Sequence, residues 1–382
     1  MKYLSTRGNA PALAFDEVLL AGLARDGGLY VPESWPEFTP AEIRELAGRP
    51  YPEAVFRIMR PFVGDAIAEP ELARIAEAAY AEFDHAAVAP LVQLEPGLWL
   101  MELFHGPTLA FKDYALQILG RLFDEVLARR GERVTIVGAT SGDTGSAAIE
   151  ACRDRERIDV FILHPAGRVS EVQRRQMTTV DAPNIHNLAI EGTFDDCQDL
   201  VKALFADAEF RDEMGLSAVN SINWARIMAQ IAYYMVAGAA LGAPDRPVAF
   251  AVPTGNFGNV YAGYAASRMG LPVERLIIGS NSNDILARFL AEGSLRRAPV
   301  TATLSPAMDI QIASNFERFL FELYGREGQA VGAALSEFRR TGVLDPGQGR
   351  WQAAQEVFEG FRLDDDGTLA EIARVHAETG EL

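Results

Sequence analysis

The sequence predicts an α/β protein in which parallel-rich sheets flanked by helices follow a mainly helical N-terminal unit. Two observations carry this. From Arg133 onward, short β-branched runs alternate with helical periodicity, the order that builds parallel strands joined by crossover helices. Before residue 90, the apolar spacing is mostly helical and is punctuated by Gly and Pro turns. At 382 residues, with 49% hydrophobic and 23% charged residues, the chain has room for two or three structural units with a sizeable core.

Taken in order, "FDEVLLAGLARDGGLYVPE" (15–33) reads as a helix presenting Val18, Leu19 and Leu23, then a Gly-Gly break and a short strand ended by Pro32. A helical stretch from Pro70 to Phe83 precedes "VAPLVQLEPGLWLMELFHG", a hairpin turning at Pro96-Gly97. The strands that follow are "RVTIVGA", "DVFILHP", "IHNLAIEG", "PVAFAVPTGN" and "RLIIGSN". The helices between or beside them are "TGSAAIEACRD", "SEVQRRQMTT", "DDCQDLVKALFAD", "WARIMAQIAYYMVAGAAL" and "NVYAGYAASRMG". After residue 300, "IASNFERFLFELYG", "QAVGAALSEFRR" and "WQAAQEVFEGF" read as amphipathic helices, and "DDDG" at 364–367 as a solvated turn or helix start. Ligands of such sheets bind in the loops beyond the carboxyl ends of the strands.

Charge narrows the function. A net charge of -18 with no basic stripe repels a phosphate backbone, which argues against a nucleic-acid partner. An anion can still bind through a few local donors. Cys152 and Cys197 give neither a disulfide framework nor a metal spacing, and fit core positions in a reducing cytoplasm. The N-terminus lacks a long apolar h-region and no apolar run nears 18 residues, so neither export nor membrane spanning is expected.

Of the 35 lysine and arginine residues only Lys2, Lys112 and Lys202 are lysine. A chain that writes nearly every cation as arginine singles out "HGPTLAFKD", because lysine alone can shed its proton and form an imine with a carbonyl. The plainer reading of Lys112 is a surface lysine in the first turn of an amphipathic helix.

Three loops bear on that choice. "GATSGDTGSAA" (138–148) lies between a strand and a helix and offers Thr140, Ser141, Asp143 and Thr144 beside glycines that admit a ligand to the backbone. "PTGNFGN" (253–259) also follows a strand, and Gly255, Asn256, Phe257, Gly258 and Asn259 would present backbone N–H groups to a phosphate. It has neither the P-loop lysine nor GxGxxG spacing, which disfavours a nucleoside triphosphate. "NSINWARIMAQ" (220–230) places Asn220, Ser221, Asn223 and Arg226 at a helix entrance, a fork for a second phosphate. Each has an architectural alternative: a common Thr-capped Gly turn for the first, and for the third an N-cap at Ser221 or Asn223 with Arg226 exposed. An imine-forming lysine, a backbone phosphate cradle and a hydroxyl-rich loop together describe a pyridoxal 5'-phosphate site.

With "STRG" (5–8), "LARDGGLYVPE" (23–33) and "FHGPTLAFKD" (104–113) added to the three loops, the sequence resembles the threonine synthases, a family of fold-type-II pyridoxal-phosphate enzymes. The blocks occur in the family's order over most of residues 1–290, and the long N-terminal unit is similar to that of the bacterial and fungal branch. The resemblance implies a tryptophan synthase β-like fold of two parallel-rich α/β domains plus a mainly helical N-terminal unit. Its expected divisions are 1–92, the N-terminal unit; 93–133 with 222–382, the large cofactor-binding domain; and 134–221, the small domain.

The resemblance also implies roles. Lys112 would hold the cofactor aldehyde and act as general base and acid, and the backbone of Gly255 to Asn259 would hold its phosphate. Asp143 would stand near the 3'-oxygen, Thr140 and Ser141 would hold the amino-acid carboxylate, and Thr144 would bind substrate. Asn220, Ser221 and Arg226 would grip the phosphate of O-phospho-L-homoserine, which is converted with water to L-threonine and phosphate. The protein is expected to be a cytoplasmic monomer or homodimer. The alternatives are another pyridoxal-phosphate dehydratase or phospholyase, and a catalytically silent ligand-binding relative. Family members continue into a "DPHT"-like block that meets the pyridine nitrogen, whereas this sequence reaches "HAETGEL"; Thr379 is not assigned that role, and the expectation is either a C-terminally truncated chain or a ring-nitrogen partner from elsewhere.

Overall fold

The computed structural model describes residues 1–140, 142–217 and 221–380. At the N-terminal end β1 (Tyr3–Ser5), α1 (Phe15–Ala21), β2 (Tyr30–Pro32), α2 (Pro40–Leu46), α3 (Tyr51–Val63) and α4 (Glu69–Tyr80) follow one another, with β1 and β2 antiparallel. The first helix is shorter than its apolar spacing suggests. It stops at Ala21, where Gly22 at φ 63 caps it, so Leu23 falls outside the helix and is 44% exposed. A hairpin of β3 (Leu91–Glu95) and β4 (Leu98–Met101) then leads to the long helix α5 (Lys112–Arg130).

The next segment is a run of β5 (Val134–Ala139), α6 (Asp143–Cys152), β6 (Ile158–Pro165), α7 (Glu171–Thr178), β7 (Ile185–Ile190), α8 (Phe194–Ala206), α9 (Ala208–Glu213) and β8 (Leu216–Ser217). Its strands form a parallel sheet in the order β7-β6-β5-β8. The chain continues through α10 (Trp224–Ala240), β9 (Val248–Pro253), α11 (Gly258–Arg268), β10 (Val273–Ser280), α12 (Ile285–Glu292) and β11 (Leu295–Arg296). It ends with α13 (Phe316–Leu323), α14 (Gly328–Thr341), β12 (Val343–Leu344), α15 (Gln348–Val357), β13 (Phe358–Arg362) and α16 (Asp365–Thr379).

The second parallel sheet has the order β13-β10-β9. Its edge strand β13 corrects the expectation of a helix over "WQAAQEVFEGF". The helix stops at Val357, and the remaining residues pair in register with Leu276–Ser280. Burial of Phe358 beside Phe257 and Phe319 favours the extended form there, a tertiary effect that local spacing does not carry. In the "DDDG" turn, Asp364 caps α16 by accepting from the Gly367 N–H at 2.8 Å.

Two helices run through the core and set the position of everything else. Helix α10 is apolar on nearly all sides, and from Trp224 to Met235 all of it is buried against α3, α5 and α11. Helix α5 is buried from Asp113 to Leu119 and packs on α6 and α10. The contact with α6 is backbone to backbone. A Cβ at Gly120 would lie 2.3 Å from the Ala151 carbonyl oxygen, closer than any side chain allows. Intrinsic helix propensity favours alanine over glycine by about 1 kcal/mol. Here Gly120→Ala is expected instead to lower stability by about 2 kcal/mol, because the helices must part. Urea denaturation of the two proteins measures the sign.

Candidate active site

The starts of four helices meet in two pairs, α5 with α6 and α10 with α11. Lys112 and Asp143 open α5 and α6, and their side chains meet, Nζ to Oδ2, at 2.9 Å. The entrances of α10 and α11 are joined by the Asn256 Nδ2–H, which donates to Ser221 Oγ at 3.0 Å. Arg226 in the first turn of α10 lies near enough to Lys112 for its charge to act on the amine. Each helix start carries roughly half a positive charge and unsatisfied N–H groups, so the junction is built for anions.

Lys112 is not a surface lysine: its side chain is 13% exposed. Burial is the largest influence on its amine and pulls the pKa below the ordinary lysine value. The Asp143 carboxylate opposes that shift and the Arg226 guanidinium adds to it. The loop before it is set by Asp113, which accepts from the Thr108 N–H at 2.8 Å and the Thr108 hydroxyl at 2.6 Å. Asp113 is wholly buried, and that burial raises its pKa against the pull of Thr108. On the far side of Asp143, the Gln173 amide donates to Oδ1. Spacing gave no signal for Asp113 or Gln173; only a carboxylate adjoining the singled-out lysine hinted at the first.

In the first loop the Thr140 hydroxyl is turned inward. It accepts from the Gly142 and Gly145 N–H groups at 3.0 and 2.9 Å, so its side chain shapes the turn. Thr144 is half-buried in the first turn of α6, while Ser141 lies outside the described residues.

In the second loop a Cβ at Gly255 would sit 3.2 Å from the Ala307 oxygen, the Met308 Cα and the Ile310 Cδ1. Phe257 takes the left-handed conformation at φ 64 and turns its ring into the core against Phe316 and Phe358. Ring burial offsets the backbone strain and leaves only its main chain for a ligand. The Asn259 side chain is also occupied, accepting from the Tyr233 and Tyr234 hydroxyls at 2.6 and 2.8 Å. What remains for a ligand is the N-terminal backbone of α11, where the Tyr261 N–H bonds the Phe257 carbonyl and the N–H groups before it lie ahead of the first helical bond.

In the third loop Asn223 is the N-cap, accepting from the Ala225 N–H at 3.0 Å, as the architectural alternative had it. Arg226, by contrast, is 3% exposed, so that alternative fails for the guanidinium. Burial pushes its pKa down to about 10, and its Nε and Nη1 have no hydrogen-bond partner among the described residues. An unpaired buried guanidinium is destabilising by on the order of several kcal/mol unless an anion meets it. Asn220 lies outside the described residues.

These features fit pyridoxal phosphate: a desolvated amine, a backbone cradle at a helix start and orphaned cationic donors within one junction. The description "Pyridoxal-phosphate dependent enzyme" matches residues 83–341, and "Threonine synthase N terminus" matches residues 2–80. The threonine synthase of Pseudomonas aeruginosa is 59% identical over 382 residues, covering 100% of this chain and 81% of that one. The crystal structure of pyridoxal-phosphate-bound threonine synthase from Brucella melitensis superposes with a TM-score of 0.98 at 54% identity, covering 100% of this chain and 82% of that one. For the yeast threonine synthase structure the values are 0.94 and 42%, over 98% of this chain and 79% of that one. The fold is that of the fold-type-II pyridoxal-phosphate enzymes, of the lyase class. The chain belongs to the threonine synthase family.

Behind the lysine loop, His105 is gripped from both sides. Its Nδ1 is 2.9 Å from Asp84 Oδ1 and its Nε2 is 2.7 Å from Glu102 Oε2, with the His85 ring 4.9 Å away. The Glu102 bond, then Asp84, raises its pKa above the ordinary histidine value. A raised folded-state pKa gives stabilisation that is complete below the unfolded value of about 6.5 and fades as pH climbs through the folded value. The melting-temperature gap between the protein and His105→Gln is therefore expected to be widest near pH 6 and to close on the alkaline side. A gap independent of pH would show that the ion pairs contribute nothing.

Proposed function

We propose that the protein acts on O-phospho-L-homoserine, converting it with water to L-threonine and inorganic phosphate by γ-elimination and β-hydration. The observation that carries this is Arg226, a buried guanidinium whose Nε and Nη1 have no partner among the described residues. An ordinary amino-acid substrate would leave those donors unmet, whereas a substrate phosphate accepts from both. When bound, pyridoxal phosphate supplies an electrophilic aldehyde and a ring that delocalises negative charge developing on the substrate carbons.

In this reading Lys112 would hold the cofactor aldehyde and would move protons at Cα and Cβ of the substrate. Asp143, held by the Gln173 amide, would help hold the cofactor near its 3'-oxygen. The main chain of Gly255 to Asn259 binds the cofactor phosphate at the start of α11. Thr140 and Ser141 hold the substrate carboxylate, Thr140 from the turn that its hydroxyl braces, and Thr144 binds substrate beside them. Asn220, Ser221 and Arg226 hold the substrate phosphate. We assign residues 134–221 to a small domain and 93–133 with 222–382 to the large one, because the two parallel sheets divide between those segments. The buried free cysteines fit a cytoplasmic enzyme, and no described helix is long and apolar enough to cross a membrane.

Purified protein loaded with pyridoxal phosphate is expected to release phosphate and threonine stoichiometrically from O-phospho-L-homoserine. A 2-oxo acid product would make it a dehydratase or phospholyase, and absence of turnover on any phosphoamino acid would make it a ligand-binding relative. Lys112→Ala is expected to abolish turnover and to remove the site at which borohydride fixes the cofactor; near-normal rate in that variant sinks the assignment. Arg226→Lys is expected to raise KM roughly 10–100-fold with kcat changed far less, since a point charge replaces a fork. Equal losses in kcat alone would place Arg226 elsewhere in the reaction.

A further inference from the structure

The N-terminal blocks "STRG" and "DGGLYVP" are tied to the start of α13. Thr6 Oγ1 donates to Glu317 Oε1 at 2.6 Å, and Arg7 donates to both Glu317 oxygens at 3.1 and 3.0 Å. The next residue, Arg318, is wholly buried. Its Nε donates to the Tyr30 carbonyl at 3.0 Å, its Nη2 to the Ile222 carbonyl at 2.5 Å and its Nη1 to Asn315 Oδ1. Burial lowers its pKa to about 10, and three carbonyl acceptors in fixed directions hold the planar fork in place.

Asn315, the N-cap of α13, passes that order on in two directions. Its Nδ2 donates to the Ser221 carbonyl at 3.0 Å, and its N–H donates to the Asn256 carbonyl at 3.1 Å. Asn256 is itself bonded to Ser221 Oγ, and its Oδ1 accepts from the Ser314 N–H at 3.4 Å. One guanidinium thus spans β2, the α10 entrance and the α13 cap, and the cap holds both phosphate-facing loops.

We propose that Arg318 is a positioning residue which, through Asn315, sets the spacing between the cofactor-phosphate loop at Asn256 and the substrate-phosphate fork at Ser221, and so docks the N-terminal unit onto catalysis. The proposal rests on the assignment of those two loops given above. Arg318 touches no reacting atom. Its effect falls on affinity, since both loops bind charge that is present before and after the chemistry.

The test uses apoprotein titrated with pyridoxal phosphate, followed by steady-state kinetics of the holoenzyme. Arg318→Lys keeps a charge but cannot satisfy three divergent carbonyls. It is expected to weaken pyridoxal phosphate binding on the order of tenfold, about the effect of one charge-assisted hydrogen bond, and to raise substrate KM similarly with kcat within about threefold. Asn315→Ala is expected to do the same. The double variant is expected to be no worse than the weaker-binding single one, because both act through one path. A folded Arg318→Lys with unchanged cofactor affinity and KM overturns the proposal, and so do additive losses in the double variant. If Arg318→Lys does not fold, unchanged cofactor affinity in Asn315→Ala overturns it alone. Should the wild type release no phosphate from O-phospho-L-homoserine, the substrate assignment falls while the cofactor titration still decides the role of Arg318.

Discussion

Everything at this site depends on holding Lys112 and Arg226 out of water, with the Asp143 carboxylate paired to the first. Two like charges in a poorly solvated junction repel each other, and each loses hydration. The helix starts that carry these residues add to the positive potential. Such an arrangement is unfavourable by itself and becomes favourable when anions enter. It can exist in a protein of net charge -18 because the surplus carboxylates act through screened solvent, whereas the junction acts at contact distance.

The strain this creates is contained by apolar packing around α10 and α5. Arg226 cannot escape to solvent, because the helix that carries it is buried along its whole N-terminal half between Trp224 and the tyrosines at 233 and 234. Lys112 has less freedom than its chain length suggests, since Asp113 ties the preceding loop to the helix start through Thr108. The same tyrosines that fill the core turn their hydroxyls to Asn259 and fix the first turn of α11. Core and site are thus one construction, in which a cavity under α10 would loosen three ligand-facing segments together.

The parallel strands and the loops after them were legible because each rests on local information: a β-branched run, a glycine-rich turn, a helix start. Lys112 was legible through the chain's avoidance of lysine. What local spacing could not show was set by contacts between distant segments. The strand at Phe358 forms because β10 and the Phe257 ring await it, and Leu23 leaves its helix because Gly22 ends it. Thr140 and Asn259 lie in the loops that the sequence offers for binding, but their side chains are taken up by neighbours that spacing cannot reveal. Arg226 could be told from an exposed helix arginine only by its burial, and Arg318 had no signal at all, its three acceptors lying at residues 30, 222 and 315.

On the proposed assignment, the two phosphate sites are not independent. The Asn256 amide donates to Ser221 Oγ while its other end accepts from the Ser314 N–H, so a movement of the cofactor loop is felt at the substrate fork through a hydrogen bond of 3.0 Å. Such coupling is reciprocal: an anion that orders one loop lowers the cost of ordering the other by the same free energy. A cofactor phosphate in place therefore prepares the fork for a second phosphate, and the apoprotein, lacking that order, grips phosphate compounds less well. Discrimination against amino acids without a phosphate then arises twice, once from the Arg226 donors that no described residue meets and once because such substrates cannot return the favourable coupling.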